Sequence, residues 1–251
     1  MTSIRFLTLN TWNDQGPWKD RWNIILHDIQ KLQPHIVSFQ EMLDIPWAKK
    51  VVQLAGYPYS AIPNEPFGLM IMSQFPIAEW DCMKLRTQSQ QQDWPRGFLL
   101  ARLRVHQSIL GILNTHLSWR LEEGATRESQ VEELISVADD EFGNESLLFS
   151  GDFNAPAETN EIRSMTSAGD FLDSYSLLHP QEKGYTWDNQ NPYTATHGLP
   201  DRRLDYIFYR DRGRILGVLK KATILFKKPN HRNVFASDHF GLFAEFQRDG
   251  I

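Results

Sequence analysis

The chain has 251 residues, of which 41% are hydrophobic, and its formal net charge is −5. The length and composition fit one globular domain with a full core. The negative charge argues against broad, non-specific nucleic-acid binding, although a local basic groove remains compatible with it. A single cysteine, Cys82, excludes an intrachain disulfide and favours a reducing, cytoplasmic location. No apolar run approaches the ~20 residues of a membrane span, and a monomer is expected.

Hydrophobic patterns predict alternating helices and strands. Apolar residues at helical spacing predict helices over 20–32, 47–54, 125–141 and near 158–168. Apolar runs bounded by turn residues predict strands over 4–10, 35–41, 68–73, 97–105, 109–117, 146–154, 203–209, 221–226 and 238–246. The strands at 68–73, 97–105 and 109–117 follow one another closely, so they are expected to be antiparallel neighbours. This order indicates an α/β (α+β) domain over 1–251, with two packed sheets flanked by helices.

Polar side chains recur where these predicted strands begin or end. They are Asn10, Glu41, His116, Asp152, Asn154, Asp205, Asp238 and His239. Each has an ordinary explanation when taken alone: Asn10 could form a turn, and Asp205 could make a surface ion pair with a neighbouring arginine. Because buried polar groups are costly unless they are paired, their joint recurrence predicts one polar pocket on the two-sheet scaffold.

The oxygen-bearing members of this set suit a hard divalent cation. Mg²⁺ takes carboxylate and other oxygen ligands and usually keeps positions open for a substrate phosphate. Glu41 is the best candidate ligand, followed by Asn10 and Asp238. The chain has no cluster of cysteines and histidines at zinc-ligand spacing, so zinc is less favoured.

The remaining members suit hydrolysis of a phosphoester. Asp152 could accept the proton of an attacking water, with Asn154 orienting the water or the phosphate. His116 and His239 could donate to the phosphoryl oxygens, on which negative charge spreads in the transition state. Asp205 behind His239 would set the tautomer of the imidazole and favour its charged form.

Seven segments resemble, in chain order, the motifs of the endonuclease/exonuclease/phosphatase superfamily, which has the pancreatic-deoxyribonuclease-like fold. They are LTLNTW, SFQEM, SQFPI, ILNTHL, FSGDFNAP, RLDYIF and SDHFGL. The resemblance implies a four-layered α/β/β/α sandwich of two mainly antiparallel sheets, with Mg²⁺ or Mn²⁺ at one end. It implies the same roles as the residue chemistry. Asn10, Glu41 and Asp238 match the metal site, and His116 and His239 match the paired histidines. Asp152 and Asn154 match the Gly-Asp-x-Asn catalytic motif, and Asp205 matches the acid that orients His239.

Departures from family motifs narrow the subfamily. The segment NTHLSW replaces the tyrosine-containing segment of apurinic endonucleases. The tryptophan-cysteine-aspartate-arginine segment of inositol polyphosphate 5-phosphatases is absent near RRLDYIF. Trp12 stands where some nucleases carry a second acid, which disfavours a second N-terminal metal ligand.

Two further segments bear on the substrate. Residues 115–134 and 184–192 are similar to 5′-tyrosyl-DNA phosphodiesterases, while neutral sphingomyelinases share much of the same layout. The predicted function is therefore Mg²⁺-dependent phosphodiester hydrolysis of DNA 5′ adducts or DNA. The alternatives are a lipid-headgroup or small-molecule phosphodiesterase and a catalytically silent binding module on the same fold. Candidate substrate-binding residues are Arg96, Trp119, Arg120, Trp187 and Arg203, and Trp187 fits a strand-end core position equally well.

Overall fold

The structure is a computed structural model that describes residues 3–91 and 94–248. The strands in these ranges are β1 (Ser3–Asn10), β2 (Ile36–Gln40), β3 (Tyr59–Ala61), β4 (Met70–Ser73), β5 (Ile77–Lys84), β6 (Gly97–Val105), β7 (Ser108–His116), β8 (Ser146–Asp152), β9 (Leu172–Asp173), β10 (Asp205–Asp211), β11 (Val218–Leu225) and β12 (Gly241–Gln247). The helices are α1 (Trp18–Leu32), α2 (Ile45–Ala55), α3 (Gly124–Phe142), α4 (Asn160–Ser167), α5 (Ser174–Leu178) and α6 (Pro192–Ala195). None of the helices described is both long and apolar enough to cross a membrane.

The strands form two sheets of six strands each. The first sheet has the order β11-β12-β1-β2-β4-β3, and the second has the order β5-β6-β7-β8-β10-β9. Most neighbours are antiparallel, but β1 is parallel to β2 and β7 is parallel to β8. A parallel pair needs a long crossover connection, which α1 and α3 supply. The predicted sandwich of two packed sheets flanked by helices is therefore confirmed, with sheets that are mixed.

Three apolar clusters separate the layers of the sandwich. One cluster lies between the sheets and includes Phe6 and Ile112. A second packs α1 and α2 against the outer face of the first sheet, around the fully buried Trp22. A third packs α3 and α4 against the outer face of the second sheet, where Leu134 and Phe149 are buried. Successive strand residues point to opposite faces, so each sheet can contribute to two clusters.

The prediction that 68–73 is an antiparallel neighbour of 97–105 is wrong. β4 pairs with β2 in the first sheet, whereas β6 lies between β5 and β7 in the second. The prediction missed β5, which carries the chain from one sheet to the other. β5 is an edge strand with mostly exposed side chains, so it lacks the apolar alternation that identifies a half-buried strand.

The topology brings distant strand ends together at one end of the sandwich. Asn10 ends β1 and is paired with Gln40, while His116 and Asp205 both lie opposite Asp152. β12 runs antiparallel to β1, so its beginning lies beside the end of β1. Asp238 and His239 lie in the loop just before β12, and not within the strand as predicted. This loop carries both side chains to the same end of the molecule.

Candidate active site

A pocket of about 380 Å³ opens at this end of the sandwich. Its lining contains seven of the eight predicted metal-binding and catalytic residues: Asn10, Glu41, His116, Asp152, Asn154, Asp238 and His239. The eighth residue, Asp205, is fully buried behind His239. The structure therefore brings the complete predicted set together, although its members come from strand ends and loops throughout the chain.

Asp152 lies at the centre of this set. Its Oδ2 atom accepts a hydrogen bond from Nδ2 of Asn10 at 3.0 Å and lies 3.4 Å from Nε2 of His116 and 3.7 Å from Nε2 of His239. Its Oδ1 atom accepts the backbone N–H of Asn154 at 2.9 Å. Burial raises the pKa of the Asp152 carboxyl to about 6. A carboxylate with a pKa near neutrality is well matched to the role of general base.

Arg96 sets the tautomer of His116. Its Nη1 atom lies 3.0 Å from Nδ1 of His116, with both side chains buried. A guanidinium group can only donate, so Nδ1 is the acceptor and the ring proton is on Nε2, facing Asp152. Burial, reinforced by the positive charges of Arg96 and His239, lowers the pKa of His116 well below its usual value. His116 is therefore a neutral imidazole whose donor points into the pocket.

His239 has the opposite electrostatic environment. Its Nδ1 atom lies 2.8 Å from Oδ2 of Asp205. Burial alone would lower the pKa of His239, but the carboxylates of Asp205, Asp152 and Asp238 raise it well above its usual value. The ring also meets the indole of Trp187 nearly edge-on, with the ring centroids 5.2 Å apart. The pocket thus contains one neutral and one positively charged imidazole.

Glu41, which is half-buried, and Asp238, which is buried, supply two further carboxylates to the pocket. Burial and the neighbouring charge of Asp238 raise the pKa of Glu41 to about 7, and burial also raises the pKa of Asp238. Two carboxylates that line one pocket and influence each other electrostatically offer the oxygen ligands that a hard divalent cation prefers. The donor set therefore fits Mg²⁺ or Mn²⁺.

Asn10 connects the two sides of the pocket. Its Nδ2 atom donates to Oε1 of Glu41 at 3.2 Å as well as to Asp152, and its Oδ1 atom accepts the backbone N–H of Trp12 at 3.0 Å. In this arrangement the amide presents its nitrogen to the carboxylates. The amide nitrogen of Asn10 therefore bonds to both carboxylates, while its oxygen, the predicted metal ligand, is bonded to the backbone of Trp12.

A second group of potential ligand atoms comprises Asp152, Asp205 and His239, which lie within 4.8 Å of one another. This group is less suited to a cation than Glu41 and Asp238. Nδ1 of His239 already bonds to Asp205, and the imidazolium form of His239 carries protons where a metal would need lone pairs.

Three of the five predicted substrate-binding residues line the pocket, namely Arg96, Trp119 and Trp187. Trp119 is 47% exposed at the mouth. Trp187 is buried and packs against His239 at the pocket wall.

Arg120 and Arg203 are not among the residues that line the pocket. The guanidinium group of Arg120 donates to the carbonyl of Gln91 and lies over the ring of Trp119. Arg203 is buried, with Nη2 2.7 Å from Oδ2 of Asp173. The placement of Arg203 contradicts a direct contact with substrate, because its cationic end is committed to the interior.

Other residues that line the pocket include Trp12, Trp94, His197 and Arg202. Arg202 replaces its neighbour Arg203 because adjacent residues in extended chain point to opposite sides. The other three lie in segments outside the helices and strands, where periodicity carries no signal. The high tryptophan content of the chain pointed towards Trp12 and Trp94, whereas no sequence signal pointed towards His197.

Solved structures of similar fold support this architecture. The chain resembles D. rerio TDP2 with a TM-score of 0.86 at 17% identity, covering 99% of this chain and 100% of that one. It resembles truncated Caenorhabditis elegans TDP2 with a TM-score of 0.80 at 19% identity, covering 98% of each chain. For sphingomyelinase C from Streptomyces griseocarneus the TM-score is 0.77 at 17% identity, with 98% of this chain and 100% of that chain covered.

No curated protein sequence matches the chain. At the identities of the solved structures, the likeness establishes the fold alone. The family model is more direct, because it spans most of the sequence and includes the motifs that form the pocket. Since the model of the Endonuclease/Exonuclease/phosphatase family matches residues 7–239, the chain belongs to that family.

Proposed function

We propose that the protein is a divalent-metal-dependent phosphodiesterase that acts on DNA carrying a 5′ adduct. The observation that carries this proposal is the environment of Asp152. Its Oδ2 atom faces a neutral imidazole donor at 3.4 Å and a positively charged imidazole at 3.7 Å. A base and two different donors around one point are what hydrolysis of a phosphodiester requires.

The roles of these residues follow from their protonation states. Asp152 accepts a proton from the attacking water, which its pKa of about 6 permits near neutral pH. His116 and His239 donate from Nε2 to the phosphoryl oxygens, where negative charge accumulates. Asp205 holds the ring of His239 in position and keeps it charged.

Glu41 and Asp238 would hold the Mg²⁺ or Mn²⁺ ion, and Asn10 would position Glu41. When bound, the cation would neutralise charge on the phosphate and polarise its oxygens. Asn10 donates to both Glu41 and Asp152, so the carboxylate of Glu41 lies close to that of Asp152. Metal binding and water activation would therefore be supported by one positioning residue.

The pocket surroundings favour a nucleic-acid substrate. Trp94 and Trp119 offer planar surfaces for stacking bases or an aromatic adduct, while Arg96 and Arg202 offer positive charge for phosphates. The structure of D. rerio TDP2 that this chain resembles is a complex with a single-strand DNA product. These features support DNA as the substrate and an aromatic group as the moiety released.

A lipid headgroup is the second candidate substrate, and one observation favours it. A smaller pocket beside Glu41 is lined by three tryptophans and two further acids: Trp18, Trp22, Trp47, Asp14 and Asp44. Aromatic rings and carboxylates together suit an alkylammonium group such as that of choline. The likeness to a sphingomyelinase C agrees with this alternative.

A substrate panel tests the proposal and separates the candidates. Purified protein is incubated with bis-p-nitrophenyl phosphate, a 5′-tyrosyl oligonucleotide, unmodified single-stranded and duplex DNA, and sphingomyelin, each with Mg²⁺ or with EDTA. We expect EDTA-sensitive release of the 5′ adduct to be the fastest reaction. Faster turnover of sphingomyelin would reverse the order of the two candidates. No turnover of any substrate, together with no calorimetric binding of Mn²⁺, would indicate the silent binding module instead.

A further inference from the structure

The segment between Asp211 and Asp238 has an unusual charge. It contains seven basic residues and no acidic residue, in a chain whose formal net charge is −5. The basic residues are Arg212, Arg214, Lys220, Lys221, Lys227, Lys228 and Arg232. A concentration of one charge on an otherwise acidic protein creates a local field that attracts a partner of opposite sign.

The arginines and lysines of this segment differ in their partners. Arg212 is paired with Asp139 and Asp170, and Arg232 is paired with Asp20. The four lysines are exposed, and none of them has an ion-pair partner within the ranges that the structure describes. Their charges are therefore available to an external anion.

The lysines begin at the end of the sandwich that carries the candidate active site. Leu225 at the end of β11 lies opposite Gly241, two residues after His239, and Lys227 and Lys228 follow directly. Lys220 lies five residues back along β11, which is about 16 Å at the usual rise of a strand. The lysines thus extend from the active-site end along one edge of the first sheet.

A surface groove of about 430 Å³ lies beside the end of β11, next to the segment that borders the candidate site. Lys227 lines the groove together with Lys183 and the partly exposed ring of Tyr185. Tyr185 and Asp188 face the groove, whereas Trp187 between them lines the candidate active-site pocket. One short segment is therefore the wall between the groove and the pocket.

Two acids also line the groove, and both are engaged locally. The carboxylate of Glu182 accepts the hydroxyl of Tyr175 at 2.8 Å, and Oδ1 of Asp188 accepts the backbone N–H of Gln190 at 2.9 Å. These bonds leave both carboxylates charged, so the two acids balance Lys183 and Lys227 within the groove. The excess positive charge lies on the adjoining strand edge, at the exposed Lys220, Lys221 and Lys228. A groove with lysines and an aromatic ring suits a nucleic-acid strand, whose phosphates need cations and whose bases stack.

We infer that this lysine edge, comprising Lys220, Lys221, Lys227 and Lys228, forms a second binding surface for the phosphate backbone of the substrate strand together with Lys183 of the groove. The inference rests on the proposed action on DNA and extends it. The strand end would occupy the candidate active-site pocket, and the following nucleotides would pass the wall at Trp187 and run along the groove. Affinity should therefore depend on strand length.

Binding of fluorescein-labelled single-stranded oligonucleotides of increasing length tests the inference, measured by anisotropy in EDTA at several salt concentrations. The variant is K227A/K228A in the full-length chain. The matched control is K49A/K50A, which removes an adjacent pair of exposed lysines from α2. For long oligonucleotides we expect K227A/K228A to bind more weakly than the unmodified protein. The slope of log Kd against log[salt] should be lower by about 1.4, because two phosphate contacts are lost. The control and the shortest oligonucleotides should show no change.

Hydrolysis of bis-p-nitrophenyl phosphate by K227A/K228A should equal that of the unmodified protein, which also shows that the variant is folded. Equal salt slopes for K227A/K228A and K49A/K50A would overturn the inference. The inference would also be overturned if K227A/K228A lost binding to phosphatidylserine vesicles but kept normal binding to oligonucleotides. Vesicles are included because the exposed Leu177 and Leu178 lie on α5, which packs against β11.

The two proposals fail in different ways. Length-dependent binding in EDTA, without turnover of any substrate in Mg²⁺, would refute the proposed phosphodiesterase and leave the binding surface standing. Turnover of a 5′-tyrosyl oligonucleotide, with binding that does not depend on length, would refute the binding surface alone.

Discussion

His239 lies between two buried carboxylates, with Nδ1 2.8 Å from Oδ2 of Asp205 and Nε2 3.7 Å from Oδ2 of Asp152. Asp205 begins β10 and Asp152 ends β8, where the two strands are paired in the second sheet. His239 comes from a loop that enters the first sheet. The charged form of the imidazole is therefore stabilised by a contact that joins the two halves of the sandwich.

Replacing Asp205 by Asn should shift the pH dependence of activity. Asp205 raises the pKa of His239, so an activity that needs the imidazolium is present below that pKa and is lost as the pH rises through it. Removing the charge lowers the pKa, and the alkaline limb of kcat/KM should move to lower pH. Rates of bis-p-nitrophenyl phosphate hydrolysis across the pH range measure this shift. D140N, at an exposed site on α3, is the control, and an unmoved limb in D205N would refute the pairing.

Replacing Asp152 by Asn should remove the general base while keeping the shape of the side chain. We expect a loss on the order of 10²–10⁴ in kcat, which is typical of general acid–base catalysis. An amide has a single acceptor oxygen, so the substituted side chain can keep the bond from the backbone N–H of Asn154 but loses the bond from Asn10. The melting temperature should therefore fall modestly while the variant stays folded. Activity within a few-fold of the unmodified enzyme would remove Asp152 from the mechanism.

Metal affinity should depend on pH through Glu41. Burial and the charge of Asp238 raise its pKa to about 7, and a metal ligand must be deprotonated to bind. The affinity for Mn²⁺, measured by calorimetry, should therefore fall progressively as the pH drops below about 7. The E41Q variant should bind Mn²⁺ weakly and lose this dependence, while E132Q on the exposed face of α3 should behave normally. Unchanged Mn²⁺ binding by E41Q would exclude Glu41 as a ligand.

Replacing Arg203 by Met should reduce stability and spare catalysis. Arg203 and Asp173 form an ion pair in which each side chain is less than a tenth exposed, and removing one partner of a buried pair costs about 3–5 kcal/mol in the free energy of unfolding. Urea unfolding measures the loss, and the double variant D173N/R203M should recover part of it. A raised KM for DNA without a loss of stability would instead restore Arg203 as a substrate contact.

Replacing Trp119 by Ala should weaken substrate binding specifically. The indole is 47% exposed at the mouth of the pocket, so its removal should change stability little. Base stacking on an aromatic ring contributes about 1–3 kcal/mol, which predicts a rise in KM for DNA on the order of tenfold or more. Trp80 on β5 is similarly exposed at 43% and lies away from the pocket, so W80A is the matched control. Equal KM values for the two variants would remove Trp119 from the substrate site.

The sequence could predict which residues meet in the pocket because they lie at or near the ends of strongly apolar segments. Asn10, His116 and Asp152 each end a strand, so their positions follow from local patterns of hydrophobicity. The order of the family motifs also predicted the two-sheet sandwich, which the family match supports. These features depend on residue types and spacing, which do not change when the chain folds.

The tertiary structure alone decided which atoms meet and which side chains face the pocket. Asn10 donates to Asp152 across 142 positions of sequence, and the tautomer of His116 follows from its contact with Arg96. Arg202 faces the pocket while Arg203 turns into the interior, although their sequence neighbourhoods are nearly the same. These contacts and side-chain directions depend on how the two sheets pack against each other. The local sequence around each residue does not contain this information, because the contacting segments are far apart in the chain.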